Sequence, residues 1–143
     1  MSTLTDFTQF VHEHGGTLFP PASDKALNFV NHILKSHGFS ALPKEYEEFL
    51  KVTDGIIWDG IELSGTRSEE RKKNNYNFPG LIEINLDFMS IDALRGTLVL
   101  GRASEELFAY DTLRGKFILI DRLDLTAHSE YPDFVSILKE WIV

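Results

Sequence analysis

Leu98-Val99-Leu100-Gly101-Arg102-Ala103-Ser104-Glu105-Glu106-Leu107-Phe108-Ala109-Tyr110-Asp111-Thr112-Leu113-Arg114-Gly115-Lys116-Phe117-Ile118-Leu119-Ile120 decides the fold, because its short apolar runs are separated by polar, turn-forming connections. Runs of this length, rich in β-branched and aromatic residues, predict three antiparallel strands in a meander. Leu113-Arg114-Gly115 predicts a hairpin with glycine in a left-handed conformation. Apolar residues stand at both parities of each run, so the sheet is expected to be covered on both faces in places.

Working outward, the period changes from two to three and four. After Pro132, Phe134, Ile137, Leu138, Trp141 and Ile142 predict an amphipathic C-terminal helix. Near the N-terminus, Leu4, Phe7, Phe10, Val11 and His14 predict a short helix capped by Ser2 or Thr3 and ended by Gly15-Gly16. Ser23 can cap a second helix, whose stripe Ala26, Leu27, Val30, Ile33 and Leu34 stops at Gly38. A third is expected from Leu42-Pro43, with the proline at its first position, Tyr46, Phe49 and Leu50 on one face, and a stop at Gly55. Ile56, Ile57, Trp58, Ile61 and Leu63 read as short strands around the turn pair Asp59-Gly60. Leu81 to Met89 fits a short helix nearly as well as a strand, with helix preferred. Helices, then a meander, then a helix make an α+β fold, with the C-terminal helix packed on the sheet.

A chain of 143 residues, 43% hydrophobic and 12% aromatic, has the length and composition of one folded domain over residues 1–143. Within it, residues 1–22 read as an N-terminal extension. Residues 64–80 are polar, lack sustained periodicity and are expected to form an exposed loop insertion. The N-terminus lacks a basic segment followed by an apolar one, and no apolar run approaches a membrane span, so the expected location is the cytoplasm.

Reactive groups are thinly represented. There is no cysteine, which excludes disulfides, thiolate metal sites and a thiol nucleophile. Neither phosphate-binding glycine frame occurs, nor the serine elbow of α/β hydrolases. His12, His14, His32, His37 and His128 fall in no metal-ligand frame, and the adjacent pairs Glu47-Glu48, Glu69-Glu70 and Glu105-Glu106 diverge on any regular element. No catalytic set, metal or cofactor is therefore expected. A small hydrolase built on scattered carboxylates and histidines stays as a rival reading.

Charge points to a partner instead. The net charge of −8 repels phosphate backbones and anionic lipid and attracts a basic protein. Arg71-Lys72-Lys73, with Arg67 before it and Tyr76 and Phe78 after it, is the one feature resembling a nucleic-acid patch, and its positive excess is small. From Lys44 to Glu62 carboxylates dominate around Trp58, an arrangement in which the ring would supply buried area and the acids would steer encounter. Asp54, Trp58, Asp59 and Glu62 are the candidate contact residues, with Glu105 and Glu106 as a second set. The competing view makes Trp58 core and the acids helix surface.

Leu42-Pro43-Lys44-Glu45-Tyr46-Glu47-Glu48-Phe49-Leu50, then Thr53-Asp54-Gly55, then Leu100-Gly101-Arg102 leading to Leu107-Phe108-Ala109-Tyr110-Asp111, and finally the helix from Asp133 together resemble the SUKH superfamily of bacterial immunity proteins and fungal cell-wall regulatory proteins. The resemblance covers roughly Ala26 to Trp141. It implies a non-enzymatic α+β scaffold and, in the bacterial branch, an immunity protein that neutralises a toxin, here a basic toxin domain, by direct contact. The fungal branch implies an intracellular regulatory scaffold that recruits protein partners. The first helix and the basic segment from Arg67 to Lys73 depart from the common pattern.

Overall fold

The computed structural model describes residues 4–71 and 76–142. Chain order is α1 (Leu4–Glu13), β1 (Thr17–Leu18), α2 (Asp24–Ser36), α3 (Lys44–Leu50), β2 (Ile56–Trp58) and β3 (Ile61–Leu63). There follow β4 (Glu69–Arg71), β5 (Tyr76–Phe78), α4 (Leu81–Phe88), a 3-10 turn (Asp92–Leu94), β6 (Thr97–Arg102), β7 (Glu106–Asp111), β8 (Lys116–Asp121), β9 (Ala127–Tyr131) and α5 (Phe134–Ile142). Seven strands form one antiparallel sheet in the order β1-β2-β3-β6-β7-β8-β9, and β4 pairs with β5 in a separate hairpin. The fold is α+β.

Side-chain alternation sorts the sheet into two apolar layers. Leu98, Leu100, Phe108, Phe117 and Leu119 join Ile56, Ile61 and Leu63 on one face, beneath Leu27, Val30 and Leu34 of α2, Phe49 and Leu50 of α3, and Phe134, Ile137 and Leu138 of α5. Val99, Leu107, Ala109, Ile118 and Ile120 point the other way, against Ile84, Phe88, Ile91 and Leu94. The apolar runs at both parities are explained by this double cover. Phe134 is the hub of the larger layer, with ring centroids 5.2 Å from Phe49, 5.6 Å from Phe108 and 5.6 Å from Phe117.

A bulge in β6 sets which side chains reach which layer. Val99 pairs with Ala109, but Gly101 pairs with Phe108, so Leu100 is the extra residue. Leu100 and the vacant position of Gly101 then face the same layer, and Arg102 returns to the other. Glycine is required there: a Cβ on Gly101 would lie 2.2 Å from the Glu62 carbonyl oxygen of β3.

Helix ends follow their caps. The Ala26 N–H donates to Ser23 Oγ at 3.1 Å, and the Ser136 N–H donates to Asp133 Oδ1 at 2.8 Å. Pro43 stands one position outside α3, where its carbonyl accepts the N–H groups of Tyr46 and Glu47. The proline thus caps the helix rather than opening it. In the β2–β3 turn Asp59 has φ 51° and Gly60 φ 78°, the left-handed pair of a type I′ hairpin. Gly115 has φ 66°, as the hairpin between β7 and β8 requires. Ser2 and Thr3, expected to cap α1, lie outside the described residues, as do the side chains of Trp141 and Ile142.

The structure also differs from the sequence reading in three segments. Residues 64–80 are not an unstructured exposed loop: Ser64, Gly65, Phe78, Pro79 and Gly80 are buried, Phe78 stacks on Phe19 at 5.4 Å, and β4 and β5 lie between. A two-residue or three-residue strand in a local hairpin needs no apolar alternation, so periodicity could not reveal it. Within residues 1–22, Phe7 and Val11 enter the core and β1 adds an edge strand to the sheet, so the segment is built into the fold. Strand β9 went unread because an edge strand as polar as Ala127-His128-Ser129-Glu130-Tyr131 carries no apolar face.

Tyr46 ties the helical layer to the sheet. Its hydroxyl reaches the carbonyl oxygens of Ser64 at 2.5 Å and Leu100 at 3.1 Å, at the seam between β3 and β6. Burial, with a smaller contribution from the Asp54 charge, raises the phenol well above its usual pKa, so it remains a donor. Tyr46→Phe is expected to cost about 1–2 kcal/mol by urea denaturation, because a buried carbonyl loses its donor. Asp133 is held below the usual carboxylate range by its bonds to Ser136. A depressed folded pKa stabilises above the unfolded value and is lost as pH falls through the folded one. Asp133→Ala should therefore lower stability by about 1 kcal/mol at neutral pH, and the gap from wild type should close below about pH 4.

Candidate contact surface

Antiparallel register brings three turns to one end of the sheet. Glu62 pairs with Arg102, Arg102 with Leu107, and Glu106 with Asp121, so the β2–β3, β6–β7 and β8–β9 connections lie side by side. Thr17 pairs with Ile57, which lays the residues after α1 beside them. This end carries Trp58 and Asp59 from one turn, Glu105 and Glu106 from the next, and Asp121, Arg122, Leu123 and Asp124 from the last.

Each turn is held by its own backbone bonds. The Ala103 N–H donates to the Glu106 carbonyl at 2.8 Å, and the Arg122 N–H donates to the Glu105 carbonyl at 2.9 Å, which ties the second turn to the third. Arg122 Nη1 donates to the Ala103 carbonyl at 2.6 Å. Asp121 Oδ1 accepts the N–H groups of Leu123 at 2.7 Å and Asp124 at 3.2 Å. Asp124 Oδ1 accepts from the Thr126 hydroxyl at 2.6 Å and its N–H at 2.9 Å, and those bonds hold its pKa below the usual range. Leu123 is left 96% exposed at the tip, beside an open cleft lined by Ser104, Glu105, Asp121 and Arg122.

The six sequence candidates separate. Trp58, Asp59, Glu105 and Glu106 share this end of the sheet. Trp58 is half-buried: its ring meets Phe10 edge-on at 5.5 Å and its Nε1 donates to the His14 carbonyl at 3.2 Å, so it covers the core as well as facing solvent. Asp59 and Glu105 are exposed, and Glu106 Oε2 lies 2.6 Å from His128 Nε2. Asp54 and Glu62 do not belong to the surface. Asp54 is buried at the other end of β2, where its Oδ1 accepts the Thr66 N–H and its Oδ2 the Thr66 hydroxyl, both at 2.6 Å. A Cβ on Gly65 would lie 2.2 Å from the Asp54 carbonyl oxygen, so the glycine permits this closure. Glu62 is buried on the face opposite Trp58, with Oε1 2.7 Å from Arg102 Nε. Their chemistry is structural: each carboxylate satisfies groups of its own chain.

Asp121, Leu123 and Asp124 escaped the sequence reading. The turn signal of Asp121-Arg122-Leu123-Asp124 was present, but its place beside Glu105 depends on the β7–β8 register. Of the basic run, Lys72 and Lys73 lie outside the described residues. Among the described residues no group of three or more His, Asp or Glu side chains converges as metal ligands would. No helix of the described chain is long and apolar enough to cross a membrane.

The class defined so far is an α+β protein with a seven-stranded antiparallel sheet and an acidic, turn-built end. No protein-family model matches the chain, and no curated protein matches it.

The Glu62–Arg102 pair makes an ordered prediction. Arg102→Ala strands a buried carboxylate and should cost roughly 3 kcal/mol, whereas Glu62→Ala leaves a guanidinium that is already partly exposed to water and should cost less. Urea midpoints of the two variants, compared at one pH, check the order.

Proposed function

We propose that this chain is a non-enzymatic protein-binding domain that meets a basic partner through the acidic turns at one end of its sheet. The observation that carries the reading is that the turns bearing Asp59, Glu105 and Asp124 lie in a row along one edge of the sheet, with exposed Leu123 beside Glu105 and Trp58 at the far margin. Exposed carboxylates along one edge raise the encounter rate with a positively charged surface, and an apolar tip supplies area that can be desolvated on contact. Turns held by backbone bonds lose little freedom on binding, which favours affinity.

The finer reading rests on the resemblance to the SUKH superfamily. On that basis the chain acts in the cytoplasm as an immunity protein, and the partner is a basic toxin domain whose active site or substrate path is covered on binding. No covalent chemistry is asked of the chain: Asp54 and Glu62, the acids buried among the described residues, are engaged by Thr66 and Arg102.

The test is in two parts. A partner captured from the native cell by cross-linking is purified and titrated with wild type and with Glu105→Lys/Leu123→Ser, both at exposed positions. The expected outcome is a tight complex weakened on the order of 10- to 100-fold in the variant and strongly by added salt, with the variant's melting temperature unchanged. Equal binding by the variant would refute the contact surface. Inhibition of a toxic activity of that partner at one-to-one stoichiometry supports immunity, and binding without inhibition points to a regulatory scaffold.

A further inference from the structure

At the other end of the sheet a cleft of about 150 Å³ opens between the end of α2, the C-terminal half of α4 and the start of β6. We propose that it is a binding site for one small phenol-like molecule, a single uncharged aromatic ring with one hydrogen-bonding substituent. Its place in the fold is independent of the acidic turns.

The floor is polar in composition but not in demand. Asn85 is buried there, and its Nδ2 donates to the carbonyls of Leu81 and Val99 while its Oδ1 accepts the Val99 N–H, each at 2.8 Å. An amide committed in this way presents little to a ligand. It also pins α4 to β6 at a fixed spacing, so the end of α4 cannot slide inward and fill the gap. Buried Leu94 and half-buried Phe39 and Phe88 supply the apolar part of a mixed lining. A space of about 150 Å³ is the size that holds a benzene-sized molecule.

The mouth is what selects the substituent. Gly38 and Gly96 both line the cleft with positive φ, 86° and 80°; a Cβ on Gly38 would meet nothing within 4 Å, whereas one on Gly96 would lie 3.4 Å from Leu113. Thr97 brings a hydroxyl to the rim. Arg95 and Asp92 also reach it, but they pair with each other at 3.1 Å, which leaves the imidazole of His37 as the other ionisable group of the lining. A neutral ring with one donor or acceptor fits a lining in which apolar rings and polar groups stand side by side. Met89, 58% exposed at the edge, supplies an adaptable thioether against the ring.

The test is a titration of the full chain with p-cresol, followed by backbone amide shifts. Saturable shifts centred on Gly38, Phe39, Gly96 and Thr97, with a Kd on the order of 1 mM as expected for so few atoms, support the site. Benzoate, of similar size but charged, should bind at least tenfold more weakly. Met89→Trp, at an exposed position, should close the mouth and weaken p-cresol at least tenfold. If that variant loses its folded spectrum, Thr97→Val takes its place and should weaken p-cresol but not toluene. The proposal is overturned by shifts that never saturate, by shifts centred on the exposed ring of Phe29 or the half-buried ring of Trp58, or by equal binding of benzoate.

Discussion

The structure depends on the seam between β3 and β6. The N-terminal strands β1 to β3 join the C-terminal meander through a short antiparallel pairing, Glu62 with Arg102 and Leu63 with Gly101. Three devices reinforce so brief a contact. Gly101 lets the strands approach where any Cβ would strike the Glu62 carbonyl. The Tyr46 hydroxyl reaches carbonyls on both sides of the seam from the helical face. On the opposite face Glu62 and Arg102 pair across it. A buried carboxylate without that guanidinium would carry a large desolvation penalty, so the pair also selects one register over a slipped one.

Once that register is set, the acidic end follows. Turns far apart in the chain become neighbours because antiparallel strands return their connections to the same edge. Asp59, Glu105 and Asp124 are thereby placed along one edge of the sheet, where neighbouring carboxylates repel. The repulsion is moderated locally: Asp121 and Asp124 accept hydrogen bonds from the turn they occupy, and Glu106 lies beside His128. Surface charge arranged in this way alters encounter and partner choice more than it alters folding stability.

Much of the fold was legible. The stripes of α2 and α5, the type I′ turn at Asp59-Gly60 and the three meander strands could be read because burial on one side imposes a period on the residues themselves. Elements without such a face escaped: β9 is a polar edge, β1 is two residues long, and β4 and β5 are held by each other. For the candidate surface the result was mixed. Trp58, Asp59, Glu105 and Glu106 were picked from composition and do share one end, whereas Asp54 and Glu62 were picked by the same criterion and proved to be interior. Composition cannot separate them, since an acidic residue is written alike whether it faces water or a threonine hydroxyl.

The amino-acid sequence by itself determined the element types, the α+β class and the acidic balance, because each is a local property of spacing or a sum over residues. Tertiary structure alone decided which carboxylates face outward, that Asp121-Arg122-Leu123-Asp124 lies against Glu105, and that Asn85 holds a cleft open between α4 and β6. Those outcomes depend on register and on contacts between residues distant in the chain, and a strand shifted by one position would have reversed every one of its side chains.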